Sequence, residues 1–162
     1  MKRTLLGLLA ALGVLSNTAA SDAEKLDWWQ DAKFGLFIHW NPSSIAGVEI
    51  SWARKSHPYD WPGELNVVPD EVYDNLYKKF NPVNFDADAI ARTAKQAGMK
   101  YLVFTAKHHD GFSMWHTELS DYNIANTPFQ RDICKEIADA CRRHGLKLGW
   151  YYSTRDWYHP DY

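Results

Sequence analysis

Three short apolar runs recur along the chain, separated by segments of helical period. Lys33-Phe-Gly-Leu-Phe-Ile-His-Trp40, Lys100–Ala106 and Lys147–Tyr152 have the length and the apolar, aromatic content of strands. Between the second and third lies Asp132–His144, with Ile133, Ile137, Ala140, Cys141 and His144 on one stripe. Its last turn, Arg142-Arg143-His144, complements the helix dipole, and Gly145 ends it. Ala87, Ile90, Ala91, Ala94 and Ala97 make a second small apolar stripe before the middle run. Asp86 serves as its N-cap, Phe85 and Ile90 as a hydrophobic staple, and Gly98 as its C-cap. Val72, Leu76 and Phe80 predict another helix over Asp70–Phe80, with Pro69 ahead of two acids. Glu24–Gln30 reads as a short helix. Asn41–Pro69 holds Pro, Gly and Trp without a sustained period, and a loop of that length in a compact domain is usually functional.

Strands separated by helical crossovers pair in parallel with right-handed connections. A doubly wound sheet and a (β/α)8 barrel both satisfy this order. A nucleotide-binding doubly wound fold would carry a glycine-rich turn after its first strand. Here that turn reads His39-Trp40-Asn41-Pro42. The expectation is therefore an α/β chain forming an incomplete (β/α)8 TIM-like barrel, about the first three βα units.

In such a fold, groups at the C-terminal strand ends converge on one mouth. The first strand ends in His39-Trp40, the second in Lys107-His108-His109-Asp110, the third in Tyr151-Tyr152-Ser153. Strand residues alternate faces. Gly35, Phe37 and His39 share one face, as do Gly149, Tyr151 and Ser153; glycines suit a crowded barrel interior, so His39 and Tyr151 point inward. Trp40 and Tyr152 then pack outward against helices. Adjacent His108 and His109 serve one site only if the chain bends, which Gly111 permits. Neutral imidazoles and a phenol are directional partners for the hydroxyls of a polar, uncharged ligand. Zinc coordination is the competing reading, but a contiguous His-His pair without Cys is a poor zinc pattern. No metal and no cofactor are expected. His57, His116, His144 and His159 read as loop, loop, helix-cap and terminal-loop residues. In the long loop, Trp52 either stacks on a sugar or anchors the loop. Glu49 binds a hydroxyl, pairs with Arg54, or is solvated.

Composition sharpens this picture at three points. Aromatic residues make up 15% of the chain, with eight Trp, an excess that suits a cleft stacking on sugar faces. The formal charge of -2 offers no basic surface for nucleic acid. Residues 1–20 pair Lys2 and Arg3 with an apolar Leu5–Leu15 run and Thr18-Ala19-Ala20, the pattern of a bacterial signal peptide. Its removal, losing those two positive charges, would take the net charge from -2 to -4. A secreted or periplasmic protein, unattached to membrane after cleavage, is expected. Cys134 and Cys141, seven residues apart on one helix, sit roughly 10 Å apart by helical rise, beyond disulfide reach. They read as buried small hydrophobes.

Four motifs together carry a family resemblance: Phe34-Gly-Leu-Phe-Ile-His-Trp40, Lys107-His-His-Asp-Gly-Phe112, Asp121-Tyr-Asn123 and Gly149-Trp-Tyr-Tyr-Ser153. Over nearly all of residues 25–162 the chain resembles the α-L-fucosidases of glycoside hydrolase family 29. The resemblance implies a retaining exo-glycosidase acting on fucosylated oligosaccharides or glycoconjugates, on a (β/α)8-like catalytic domain. Residues 21–162 would be the N-terminal part of that domain, truncated. It also implies fucose recognition by His39, His108, His109 and Tyr151, with Trp52 near the sugar and Glu49 as a further contact. Retaining glycosidases need two carboxyls. The family's nucleophile and acid/base lie on later strands, so neither is assigned here, and Asp110 and Asp156 match structural positions. A non-catalytic carbohydrate-binding protein and a metal-dependent barrel hydrolase are the alternatives.

Overall fold

The computed structural model describes residues 22–56 and 67–162. Residues 1–20, read from the sequence as a signal peptide, and His57 lie outside them. Helix α1 (Asp22–Ala32) belongs, through Asp31, to a unit separate from residues 32–162. Among the described residues no helix is long and apolar enough to cross a membrane.

The second unit is a mixed α/β structure around a parallel sheet of three strands in the order β1-β2-β3: β1 Gly35–Ile38, β2 Tyr101–Lys107 and β3 Lys147–Tyr152. Gly35 pairs with Tyr101 and Tyr101 with Lys147, so the strands start level; β1 stops at Ile38 opposite Phe104, while β2 and β3 run on together to Lys107 and Tyr152. Between β1 and β2 run α2 (Asp70–Tyr73) and α3 (Ala87–Gln96); α4 (Ile133–His144) connects β2 to β3.

Alternation divides the sheet between two environments. Leu102, Phe104 and Ala106 of β2 are buried against Ala87, Ala91 and Ala94 of α3 and Ile133, Ile137, Ala140 and Cys141 of α4. The small side chains of α3 let the helix lie close to the strands, and transfer of those strand residues from water supplies the driving force. The opposite face carries Gly35, Phe37 and His39, then Val103, then Gly149 and Tyr151, and Phe37 remains 53% exposed. A Cβ on Gly35 would lie 2.3 Å from the Tyr101 ring, so the phenol fills the space above that glycine.

Most helix signals stand where they were read. Asp86 caps α3, accepting from the Ala89 amide at 2.9 Å; Asp132, read as the first residue of its helix, proves to be the cap of α4, accepting from the Lys135 amide at 2.8 Å. Gly98 and Gly145 follow the last turns with φ of +85° and +64°. Both cysteines are free and buried. Asp70–Phe80 differs from the expectation. It is an α-helix only to Tyr73, followed by a 3-10 turn over Leu76–Lys79. Tyr73, Leu76 and Phe80 are its buried residues, while Val72 is 49% exposed. Tyr73 displaces Val72 because its ring fills an apolar site and its hydroxyl finds partners inside. Tyr152 also departs from expectation: it stays 56% exposed beside Trp115, whereas Trp40 packs on Phe80 and Phe85 as read.

Candidate functional site

The C-terminal ends of the strands bring four polar rings together. His39 stands 5.5 Å from His108 and 5.2 Å from Tyr151, centroid to centroid. His108 stacks on Tyr151 at 5.2 Å with planes 14° apart, and lies 4.5 Å from His109. Phe37 closes the floor, 4.4 Å from His39.

Two adjacent histidines reach one site because β2 stops at Lys107. The His108 carbonyl then accepts from the Gly111 amide at 3.1 Å, a tight turn with Gly111 at φ +86°. A Cβ there would meet Asp156 Oδ1 at 2.2 Å, so backbone conformation and space both demand glycine.

The long loop supplies the next wall. Trp52 meets His109 edge-on at 5.6 Å and Trp157 at 5.3 Å, and the Trp157 amide donates to the His109 carbonyl at 2.7 Å. Glu49 is exposed and acts electrostatically on His39. It does not pair with Arg54, whose guanidinium donates twice to Asp74, at 2.8 and 2.9 Å, and faces Asp70 at 3.4 Å. That ion pair and the Arg54–Val68 bridge tie the middle of the loop to its C-terminal end and the start of α2.

Beneath the rings lies a buried polar network that the sequence did not announce. Asp110 is 0% exposed. Its carboxylate accepts from Asn41 Nδ2 at 2.6 Å, from the Tyr73 hydroxyl at 2.7 Å and from the Phe112 amide at 3.3 Å. Burial raises its pKa, and those three donors oppose the rise. The Tyr73 oxygen accepts from the Ser51 amide at 2.6 Å, and Ser51 Oγ touches His108 Nδ1 at 2.6 Å. On the other side, Ser153 Oγ lies 2.6 Å from His109 Nδ1. Lys107 Nζ steadies that segment, donating to the carbonyls of Ser153 and Arg155 at 3.2 and 3.0 Å and meeting Asp156 at 3.2 Å.

The electrostatics favour neutral rings. Burial pushes the His108 pKa down to about 3, helped by His109 and His39. Burial also lowers His39 and His109, the latter further through the positive charges of Arg155 and Lys107. Neutral imidazoles each offer one donor and one acceptor, the complement of a sugar hydroxyl. Asp110 is sealed and Asp156 is engaged with Lys107, so neither presents an open carboxylate. Among the described residues no group of three His, Cys, Asp or Glu is arranged to hold a metal ion. The remaining described histidines are occupied elsewhere: His116 with Gln130 at 2.8 Å, His144 with Asp88 at 2.9 Å, and His159 near Asp161.

A family model described as alpha-L-fucosidase matches residues 13–162. The chain belongs to the alpha-L-fucosidase family. Among curated relatives, the plasma alpha-L-fucosidase of Homo sapiens is 36% identical over 148 residues, covering 86% of this chain and 32% of the human protein. Alpha-L-fucosidase isoenzyme 1 of Paenibacillus thiaminolyticus superposes with a TM-score of 0.75 at 43% identity, over 86% of this chain and 31% of that one. The fucosidase of Bacteroides thetaiotaomicron, solved as a trapped covalent intermediate with 2-fluoro-fucosyl fluoride, superposes at 0.69 with 34% identity, over 83% of this chain and 31% of its own. The chain thus spans about a third of the length of these relatives.

Of the residues picked from sequence, His39, His108, His109, Tyr151 and Trp52 come together, and Glu49 stands within electrostatic reach of His39. Ser51, Tyr73, Asn41 and Trp157 were missed. Ser153 had been placed on the inward face without a partner.

Proposed function

We propose that the full-length protein is a retaining exo-α-L-fucosidase that releases terminal L-fucose from glycoconjugates, and that residues 21–162 form the opening βα units of its (β/α)8-like catalytic domain. The observation that carries this reading is the convergence of His39, His108, His109 and Tyr151, all rings with neutral hydrogen-bonding capacity, at one end of a parallel sheet. Family membership supports it. So does the Bacteroides structure, whose covalent intermediate is what a retaining mechanism forms. These four residues, with Trp52 and Glu49, make the fucose-binding half of the site. The imidazoles and the phenol take the hydroxyls, Trp52 offers an apolar ring face, and Phe37 lies below. The catalytic carboxyl pair is not among these residues. Residues 1–20 are proposed as a signal peptide that directs the protein to the periplasm or medium.

The deciding experiment is hydrolysis of an aryl α-L-fucoside by the full-length protein, followed by NMR from the first turnover. Release of α-L-fucose ahead of mutarotation is expected. Initial release of the β-anomer would overturn retention. Binding of L-fucose without turnover would replace the enzyme with a carbohydrate-binding protein. The N-terminal sequence of the exported protein tests the signal peptide.

A further inference from the structure

We infer that Ser51 is a positioning residue that fixes the proton of His108 on Nε2, so that this ring meets the ligand as a hydrogen-bond donor. The use of that donor for a sugar hydroxyl rests on the proposed fucose-binding reading; the proton assignment does not.

A serine hydroxyl has one proton to give and two lone pairs to receive with. Ser51 Oγ already accepts from the Asp110 amide at 2.9 Å. The other group on it is His108 Nδ1, at 2.6 Å. Were Nδ1 protonated, both lone pairs would be filled from outside and the hydroxyl proton would be left without an acceptor among the described residues. Ser51 is 0% exposed, so water does not replace that acceptor, and a buried unpaired donor is costly. The consistent arrangement has the serine donating to Nδ1 and the ring proton on Nε2. Among the described residues no protein group hydrogen-bonds to Nε2. The depressed His108 pKa agrees, because the choice between two positions for one proton exists only in a neutral ring.

The serine is itself clamped from both sides by one residue. Asp110 binds the Ser51 hydroxyl through its amide. Its carboxylate holds the Tyr73 hydroxyl at 2.7 Å, which in turn accepts from the Ser51 amide at 2.6 Å. Asn41 anchors the same carboxylate oxygen at 2.6 Å. Ser51 sits at φ +62°, a conformation comfortable for glycine and strained for serine. Glycine would satisfy the backbone, but only the hydroxyl makes the contacts to Asp110 and His108. Stacking on Tyr151 then sets the plane of the imidazole. His109 is different: its serine partner, Ser153, also has the Arg155 carbonyl as an acceptor at 3.1 Å. The site therefore pairs one ring of fixed polarity with one that can adapt.

The test is NMR of the full-length protein with 15N-labelled histidine, read first without ligand. A pyridine-type Nδ1 and a pyrrole-type Nε2 are expected for His108. Ser51→Gly removes the hydroxyl while relieving the backbone. It should let the proton redistribute between the nitrogens and weaken L-fucose binding by roughly three- to tenfold, the loss of one neutral hydrogen bond. A pyrrole-type Nδ1 in the unsubstituted protein overturns the inference. So does a folded Ser51→Gly protein whose two nitrogens keep their signatures. Should Ser51→Gly not fold, the unsubstituted protein's spectrum decides alone. The expected nitrogens and their Ser51 dependence without any fucose binding would uphold the assignment and overturn the sugar-binding reading.

Discussion

Tyr73→Phe removes a single oxygen, and the structure says what that oxygen holds. The ring is 1% exposed and phenylalanine keeps its shape, so no cavity beyond the hydroxyl itself forms. Two bonds are lost. The Ser51 amide, in a residue 0% exposed, loses its acceptor at 2.6 Å, and an unsatisfied buried donor costs about 1–3 kcal/mol. The Asp110 carboxylate loses one of its three donors, the one at 2.7 Å, and hydrogen bonds to charged groups are worth about 1.5–3 kcal/mol. The two losses share one network and do not add in full. Phenylalanine also gains by burying no hydroxyl. A net loss of about 2–4 kcal/mol follows. The assay is urea unfolding of the full-length protein at unchanged m, with ΔΔG taken from the midpoint. Tyr77→Phe is the internal control. Tyr77 packs edge-on against Tyr122 at 5.4 Å, and its hydroxyl makes no hydrogen bond among the described residues. Its replacement should stay within about 0.5 kcal/mol, the range of uninvolved sites. If Tyr73→Phe matches that control, the network beneath the site carries no stability and the reasoning fails.

The other predictions concern the rings themselves. His39→Ala and His109→Ala should each weaken a fucose-like inhibitor by about 0.5–1.5 kcal/mol, or roughly twofold to tenfold, the loss of one neutral hydrogen bond; unchanged affinity with a lowered melting temperature would show that they only brace the strand ends. His108 titrates near 3 when folded, so as pH falls below the ordinary histidine value the unfolded chain takes up the proton first. Its stability contribution is complete above about pH 6.5 and drains by at most about 1.4 kcal/mol per pH unit on the way down, less where water reaches the ring. The urea midpoint should accordingly drop more between pH 7 and pH 5 in the parent protein than in His108→Asn, and equal drops would refute the assignment. Dialysis against a chelator should leave the proposed fucosidase activity intact, because among the described residues no group of three His, Cys, Asp or Glu is arranged to hold a metal ion; loss reversed by zinc would contradict it.

Much of this arrangement was legible because it is periodic. Strand alternation grouped Gly35 with Phe37 and His39, and Gly149 with Tyr151, and the register lays both groups on one face of the sheet, where Phe37 and His39 meet Tyr151. The cap at Asp86 was legible because a cap is a local event, completed within three residues. The His108–His109 pair needed one more local clue, Gly111, whose left-handed conformation defeats the alternation that would have sent the two rings apart. What failed to show was non-local and polar. Asn41, Ser51 and Tyr73 reach Asp110 across 69, 59 and 37 residues of sequence, and no period connects them. Tyr73 was passed over for Val72 because a ranking by hydrophobicity undervalues a phenol, whose ring buries like phenylalanine while its oxygen seeks a partner. Ser51 was passed over for a related reason: its φ of +62° is imposed by contacts on both its amide and its hydroxyl rather than by its own preference. The division is physical. Apolar burial is non-directional and leaves its mark as spacing, so the walls of the site can be read from one strand at a time. Hydrogen bonds are directional and pairwise, so the groups that orient His108 become visible only when four distant segments are folded together.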